Sequence, residues 1–169
     1  GILAPSRPTA TSSESTTTYL ANLRYLANDN LMTYFRFATG YRPGGPNFVA
    51  SDPNTGEPLG NPTFEADELQ SYEGGLKATT GDRRYSADIA LYLINWDNMQ
   101  VASQSNGIGV VANASTARST GAEFTLTALP IPELTLLGTF AYIHARLTDD
   151  APDLGGVDGD PLPDTPDFA

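Results

Sequence analysis

The chain reads as all-β: about six long strands plus the start of another, laid out as part of a transmembrane antiparallel β-barrel. Segments between turn-forming clusters run well beyond the five or six residues of an ordinary strand. They alternate apolar and polar residues, and their connections alternate strictly between short and long. Tight turns fall at 28–30, 80–83 and 129–133, whereas 42–67, 103–111 and 149–163 are long and rich in Pro, Gly, Asn and Asp. Short turns at one end of long strands and long loops at the other match an outer-membrane barrel, with periplasmic turns and extracellular loops.

Residues 1–14 are Ser/Thr/Pro-rich and read as loop. Strands follow at 15–27, 31–41, 68–79, 84–100, 112–128 and 134–148, each rich in β-branched and aromatic residues and bounded by turn formers. In the second strand Phe35, Phe37 and Tyr41 share one face, opposite Arg36, Gly40 and Arg42. In the third, Tyr72, Gly74, Leu76 and Ala78 oppose Glu73, Gly75 and Lys77. In the fourth, Tyr85, Ala87, Ile89, Leu91 and Leu93 oppose Ser86, Asp88 and Ala90. In the fifth, Ala122, Phe124, Leu126 and Ala128 oppose Gly121, Glu123, Thr125 and Thr127. No segment carries a sustained helical period with caps at both ends.

Two environments produce this alternation. In a soluble sandwich the apolar face is the core and the charged face meets water; in a barrel the apolar face meets lipid and the charged face a wet lumen. Alternation alone fits both. Strand length and loop asymmetry favour the barrel, because a tilted membrane strand needs about 9–11 residues. Tyr19, Tyr25, Tyr34, Tyr41, Tyr85, Trp96 and Tyr142 lie near strand ends, as interfacial girdles require. The rival is a soluble extracellular β-sandwich binding carbohydrate or protein through its long loops. It requires the face bearing Leu91, Phe124 and Leu126 to be buried against a second sheet.

Composition narrows the function classes. A net charge of −11 and a pI near 4.2, with Lys77 and eight scattered arginines, leave no basic stripe for nucleic acid. Cysteine is absent, so there is no disulfide framework or thiolate chemistry. No apolar run approaches the ~18 residues of a transmembrane helix; the longest, 87–96, is interrupted by Asp88 and Asn95. Enzyme chemistry has little support: His144 is the only histidine, and no nucleophile elbow, zinc-binding helix or phosphate loop occurs. No cofactor or metal is expected. Asp149, Asp150, Asp153, Asp158 and Asp160 fail the spacing of a calcium loop and read as a solvated outer loop.

Four stretches then bring in a family. Residues 34–47 read YFRFATGYRPGGPN and 68–77 read ELQSYEGGLK, followed by the Asp82-Arg83-Arg84 turn. Residues 91–100 read LYLINWDNMQ and 113–123 read NASTARSTGAE, with LPDTP at 162–166 approaching a further strand. In this order and spacing they resemble the β-barrel of TonB-dependent outer-membrane receptors, over roughly residues 16–168. The resemblance implies the later part of a barrel of about 22 strands with a plugged lumen, in a bacterial outer membrane and in contact with its lipid. It further implies TonB-coupled import of a scarce small-molecule ligand, a ferric siderophore or cobalamin. By this reading residues 1–169 are a fragment of the barrel domain, lacking the N-terminal plug, its TonB-contacting segment and the C-terminal strands.

Ligand recognition is expected on the outer loops and at their bases. Tyr41, Arg42, Asn47 and Phe48 combine aromatic area with a cation and an amide, and Arg42 suits an anionic chelate. Trp96 and Asn106 sit at the next long loop. Glu73, Lys77, Asp88 and Glu123 are expected to form a charged lumen-facing wall across neighbouring strands.

Overall fold

The structure is a computed structural model that describes residues 15–52, 54–105, 107–152, 155–162 and 165. Long strands β1 (Leu20–Asn28), β2 (Leu31–Arg42), β5 (Asp67–Thr79), β6 (Tyr85–Asp97), β9 (Ala117–Ile131) and β10 (Leu134–Leu147) form one six-stranded sheet. Each pairs antiparallel with its neighbour in the order β1-β2-β5-β6-β9-β10. Two small hairpins lie in the outer connections. β3 (Gly45–Pro46) pairs with β4 (Thr63–Phe64), and β7 (Gln100–Ser105) with β8 (Ile108–Asn113).

The sequence predicts single strands over 84–100 and 112–128, and the structure breaks both. Asn98 turns the chain with φ at 56°, a left-handed conformation that asparagine tolerates better than most residues. Alternation ran straight through because the ladder continues past the break. The Met99 N–H donates to the Ser115 carbonyl at 3.1 Å, and the Ala114 N–H to the Met99 carbonyl at 2.8 Å. The first strand begins at Leu20 rather than 15, and β9 runs to Ile131, leaving Pro132 and Glu133 as the turn. Residues 1–14 and most of the strand start expected after 162 lie outside the described residues.

Register assigns every side chain to a face. Ile89, Phe124 and Phe140 stand side by side across β6, β9 and β10, and the next rung outward is Leu91, Ala122 and Tyr142. Phe35 and Leu23 extend this apolar face across β2 and β1. The opposite face carries Arg24, Tyr34, Arg36, Glu73, Lys77, Asp88, Tyr92 and Glu123.

No second sheet covers the apolar face among the described residues. Leu91 is 60% exposed, Leu23 71% and Phe140 50%, where a sandwich would have interdigitated them with a facing sheet. That overturns the sandwich alternative. Lipid replaces the missing core on such a face. The buried apolar cluster sits elsewhere, at the loop end, where Met99, Ala114, Ala117, Leu147 and Ala151 pack with Trp96, Val101 and Leu162.

On the polar face two tyrosines lie over glycines. Tyr34 is the cross-strand partner of Gly75, and Tyr92 of Gly121; in each case the ring fills the space a side chain on the glycine would take. Gly121 is the tighter site, since the backbone carbonyl of Tyr142 closes it as well.

Candidate functional site at the outer mouth

At the loop end of the sheet, Asp67 opens β5 and is fully buried. The Arg42 Nε donates to its two oxygens at 3.1 and 2.9 Å, and Nη2 also donates to Oδ2. Oδ2 accepts from the Trp96 indole N–H at 3.0 Å and from the Gln100 backbone N–H at 3.1 Å. The Arg42 backbone N–H donates to Oδ1 at 3.2 Å, and its guanidinium lies 5.1 Å from the Trp96 ring centre. Burial pushes the Asp67 carboxyl upward, but the Arg42, Gln100 and Trp96 donors together hold it below the usual carboxylate range. The same carboxylate raises the Arg42 guanidinium. One buried anion therefore ties the ends of β2, β5 and β6 to the start of β7.

Amide side chains then knit the two outer connections together. Asn47 Nδ2 donates to the Val111 carbonyl at 2.7 Å while Asn47 Oδ1 accepts from the Val111 N–H at 2.8 Å. Asn113 repeats the motif with Glu65, donating at 2.9 Å and accepting at 2.7 Å. Asn98 Nδ2 donates to the Ala66 carbonyl at 2.8 Å, and Gln100 Nε2 reaches the carbonyls of Arg42, Pro43 and Glu65. Each asparagine pair imitates a backbone ladder, giving both donor and acceptor. A cleft of about 570 Å³ opens between the connections, with Asn47, Asn61, Thr63, Ser103, Gln104 and Asn113 in its wall.

Below the mouth, several side chains of the polar face pair with one another. Lys77 pairs with Asp88, its ammonium lies 5.9 Å from the Tyr34 ring centre, and the Tyr34 hydroxyl donates to Glu73 at 2.6 Å. Glu123 shares this face, opposite Ala90 and Ala141.

The residues expected to meet ligand thus separate. Arg42 and Trp96 converge on Asp67, and Asn47 both clamps Val111 and lines the cleft. Tyr41 belongs to the apolar face, paired with Glu68 at the outer end of β2. Phe48 is 71% exposed on the first outer connection. Asn106 lies outside the described residues. Sequence reasoning missed Asp67, Asn98, Gln100 and Asn113; the available signal was a carboxylate and three amides at loop edges, where unpaired backbone groups need side-chain partners. Among the described residues, no group of three or more His, Cys, Asp or Glu side chains gathers for a metal ion.

A wall with one lipid-ready face, one polar face and an ordered mouth defines a class, the transmembrane β-barrel of the outer membrane. The chain belongs to the TonB-dependent receptors: the family model described as TonB dependent receptor-like, beta-barrel, matches residues 3–169. It is 32% identical over 98 residues to the metal-pseudopaline receptor CntO of Pseudomonas aeruginosa, covering 58% of this chain and 14% of that protein. It is 33% identical over 99 residues to the pesticin receptor of Yersinia enterocolitica, covering 59% of this chain and 14% of that protein. Among solved structures, the ferric yersiniabactin uptake receptor FyuA of Yersinia pestis superposes with a TM-score of 0.70 at 24% identity. The match covers 88% of this chain and 21% of that one. The chain thus spans about a seventh of the curated relatives.

Proposed function

We propose that the intact receptor carrying this wall imports a scarce metal chelate, with energy passed from the inner membrane through TonB. On this reading residues 1–169 are part of the barrel domain, and the plug and C-terminal strands belong to other parts of the protein. The proposal rests on the cleft between the outer connections. Its volume of about 570 Å³ falls in the range of small-molecule sites, and its amide and hydroxyl lining suits a polar chelate. A chelate is favoured over cobalamin because two relatives carry metal–pseudopaline and ferric yersiniabactin in their names.

In this scheme Asn47 contacts ligand directly, with Phe48 on the first outer connection, Tyr41 at the outer end of β2 and Asn106 as further candidates. Arg42 and Trp96 hold the mouth in shape around Asp67. Glu73, Lys77, Asp88 and Glu123 form the lumen wall against which the plug rests. The test is uptake of radiolabelled metal by cells whose only receptor is this one. Ferric yersiniabactin, a ferric catecholate and a metal–pseudopaline complex are offered singly. Accumulation from at least one, abolished by deletion of TonB, is expected. No accumulation from any, or accumulation unchanged without TonB, would overturn the proposal.

A further inference from the structure

The apolar face ends abruptly in a pair of cations. On β6, β9 and β10 the outward side chains run Ile89, Leu91, Leu93; Phe124, Ala122, Thr120; and Phe140, Tyr142, His144. The next rung is Asn95, Arg118 and Arg146, side by side, with Gln70 continuing it on β5. That rung stands six residues beyond the Ile89–Phe124–Phe140 row. At about 3.3 Å per residue and a tilt of about 40°, it lies about 15 Å above that row. An apolar belt about 25 Å tall, centred on the row, would end just below it. The rung therefore sits at the level of lipid headgroups.

Arg118 and Arg146 are direct cross-strand partners, an arrangement that like charges disfavour unless an anion joins them. The wall supplies none. Arg118 Nε donates to Asn95 Oδ1 at 3.0 Å, Arg146 Nε to His144 Nε2 at 3.0 Å, and Arg146 Nη1 to the Gly159 carbonyl at 3.0 Å. None of the three acceptors is an anion, since an amide, an imidazole nitrogen and a peptide carbonyl all accept as uncharged groups. The ion pairs among the described residues are Arg42–Asp67, Lys77–Asp88 and Arg84–Asp82, so among the described residues neither cation has a carboxylate partner. Glu68 and Asp97 lie one rung farther out on the same face and bond to neither arginine.

We propose that Arg118 and Arg146, held by Asn95 and His144, bind the phosphorylated headgroup of an outer-leaflet lipid against the outside of the barrel. Guanidinium forks suit phosphate oxygens, and this phosphate lies where the belt ends. The inference rests on the outer-membrane placement of the wall and not on what the receptor imports.

The test uses the intact receptor in phosphatidylcholine nanodiscs doped with diphosphoryl lipid A or its dephosphorylated form, with bound lipid counted by native mass spectrometry. Wild type is expected to retain the phosphorylated form preferentially. Arg118→Gln with Arg146→Gln should weaken retention about thirtyfold, two cations at about 1 kcal/mol each, and leave the dephosphorylated form unaffected. Equal retention of the two lipids by wild type would overturn the proposal, and that comparison does not depend on the variant folding. Unchanged retention by the double variant would overturn it too. So would full displacement by millimolar inorganic phosphate, which would mark a site for free anions.

Discussion

At Gly121 the absence of a side chain has a visible cause. The Tyr92 ring lies over it and the Tyr142 carbonyl closes the remaining space, so an added methyl meets backbone that cannot step aside. Gly75 differs, because there only the far end of the Tyr34 ring stands in the way, and a ring can swing. Gly121→Ala is therefore expected to lower the stability of the folded receptor by about 1–3 kcal/mol, as overpacking does. Gly75→Ala should cost about 1 kcal/mol, the worth of the Tyr34–Glu73 hydrogen bond. Urea unfolding in detergent micelles compares them; equal losses would contradict the difference in backing. The glycines were visible in the sequence as places for a bend or close approach. Which tyrosine covers which glycine was not, because that depends on register between strands.

At the scale of elements, the outer connections are ordered by one buried carboxylate and a few amides. Asp67 titrates below the ordinary range, so its stabilisation is fully present above the unfolded value, about 3.9, and fades as pH falls through the folded one. Hydrogen-exchange protection of 98–105 and 108–116, corrected for intrinsic rates, should hold from neutrality to about pH 4 and then decline. Asp67→Asn should remove about 2 kcal/mol, or about thirtyfold in protection, at neutral pH, and abolish the acid dependence. Protection unchanged in this variant would contradict the role of the latch. The six long strands and their faces were legible from period and turns alone, since an exposed barrel wall repeats one simple pattern. The β3–β4 and β7–β8 hairpins were not legible. Two-residue strands leave no period, and the Asn98 bend interrupts a run whose alternation continues on either side. The partners of Arg42 and Asn47 depend on contacts more than twenty residues away, as with Asp67 and Val111.

For the whole molecule, the buried apolar cluster lies under the outer connections, and among the described residues the sheet's own buried apolar side chains lie only at the outer ends of β9 and β10, at Ala117, Ala145 and Leu147. Such a wall is stable only if lipid covers one face and water or protein the other. Uptake through the lumen and lipid binding at the outer rim both require that orientation. The residue range has no cysteine, so spin labels can be placed one at a time within it. The measurement is label accessibility in the intact receptor in bilayers, at Leu91, Phe124 and Phe140 and then at Glu73, Asp88 and Glu123. Collisions with oxygen, which concentrates in lipid, should dominate at the first three. Collisions with a water-soluble nickel chelate should dominate at the second three. The same accessibility on both faces, or the reverse pattern, would contradict the assignment of this sheet as a membrane-barrel wall.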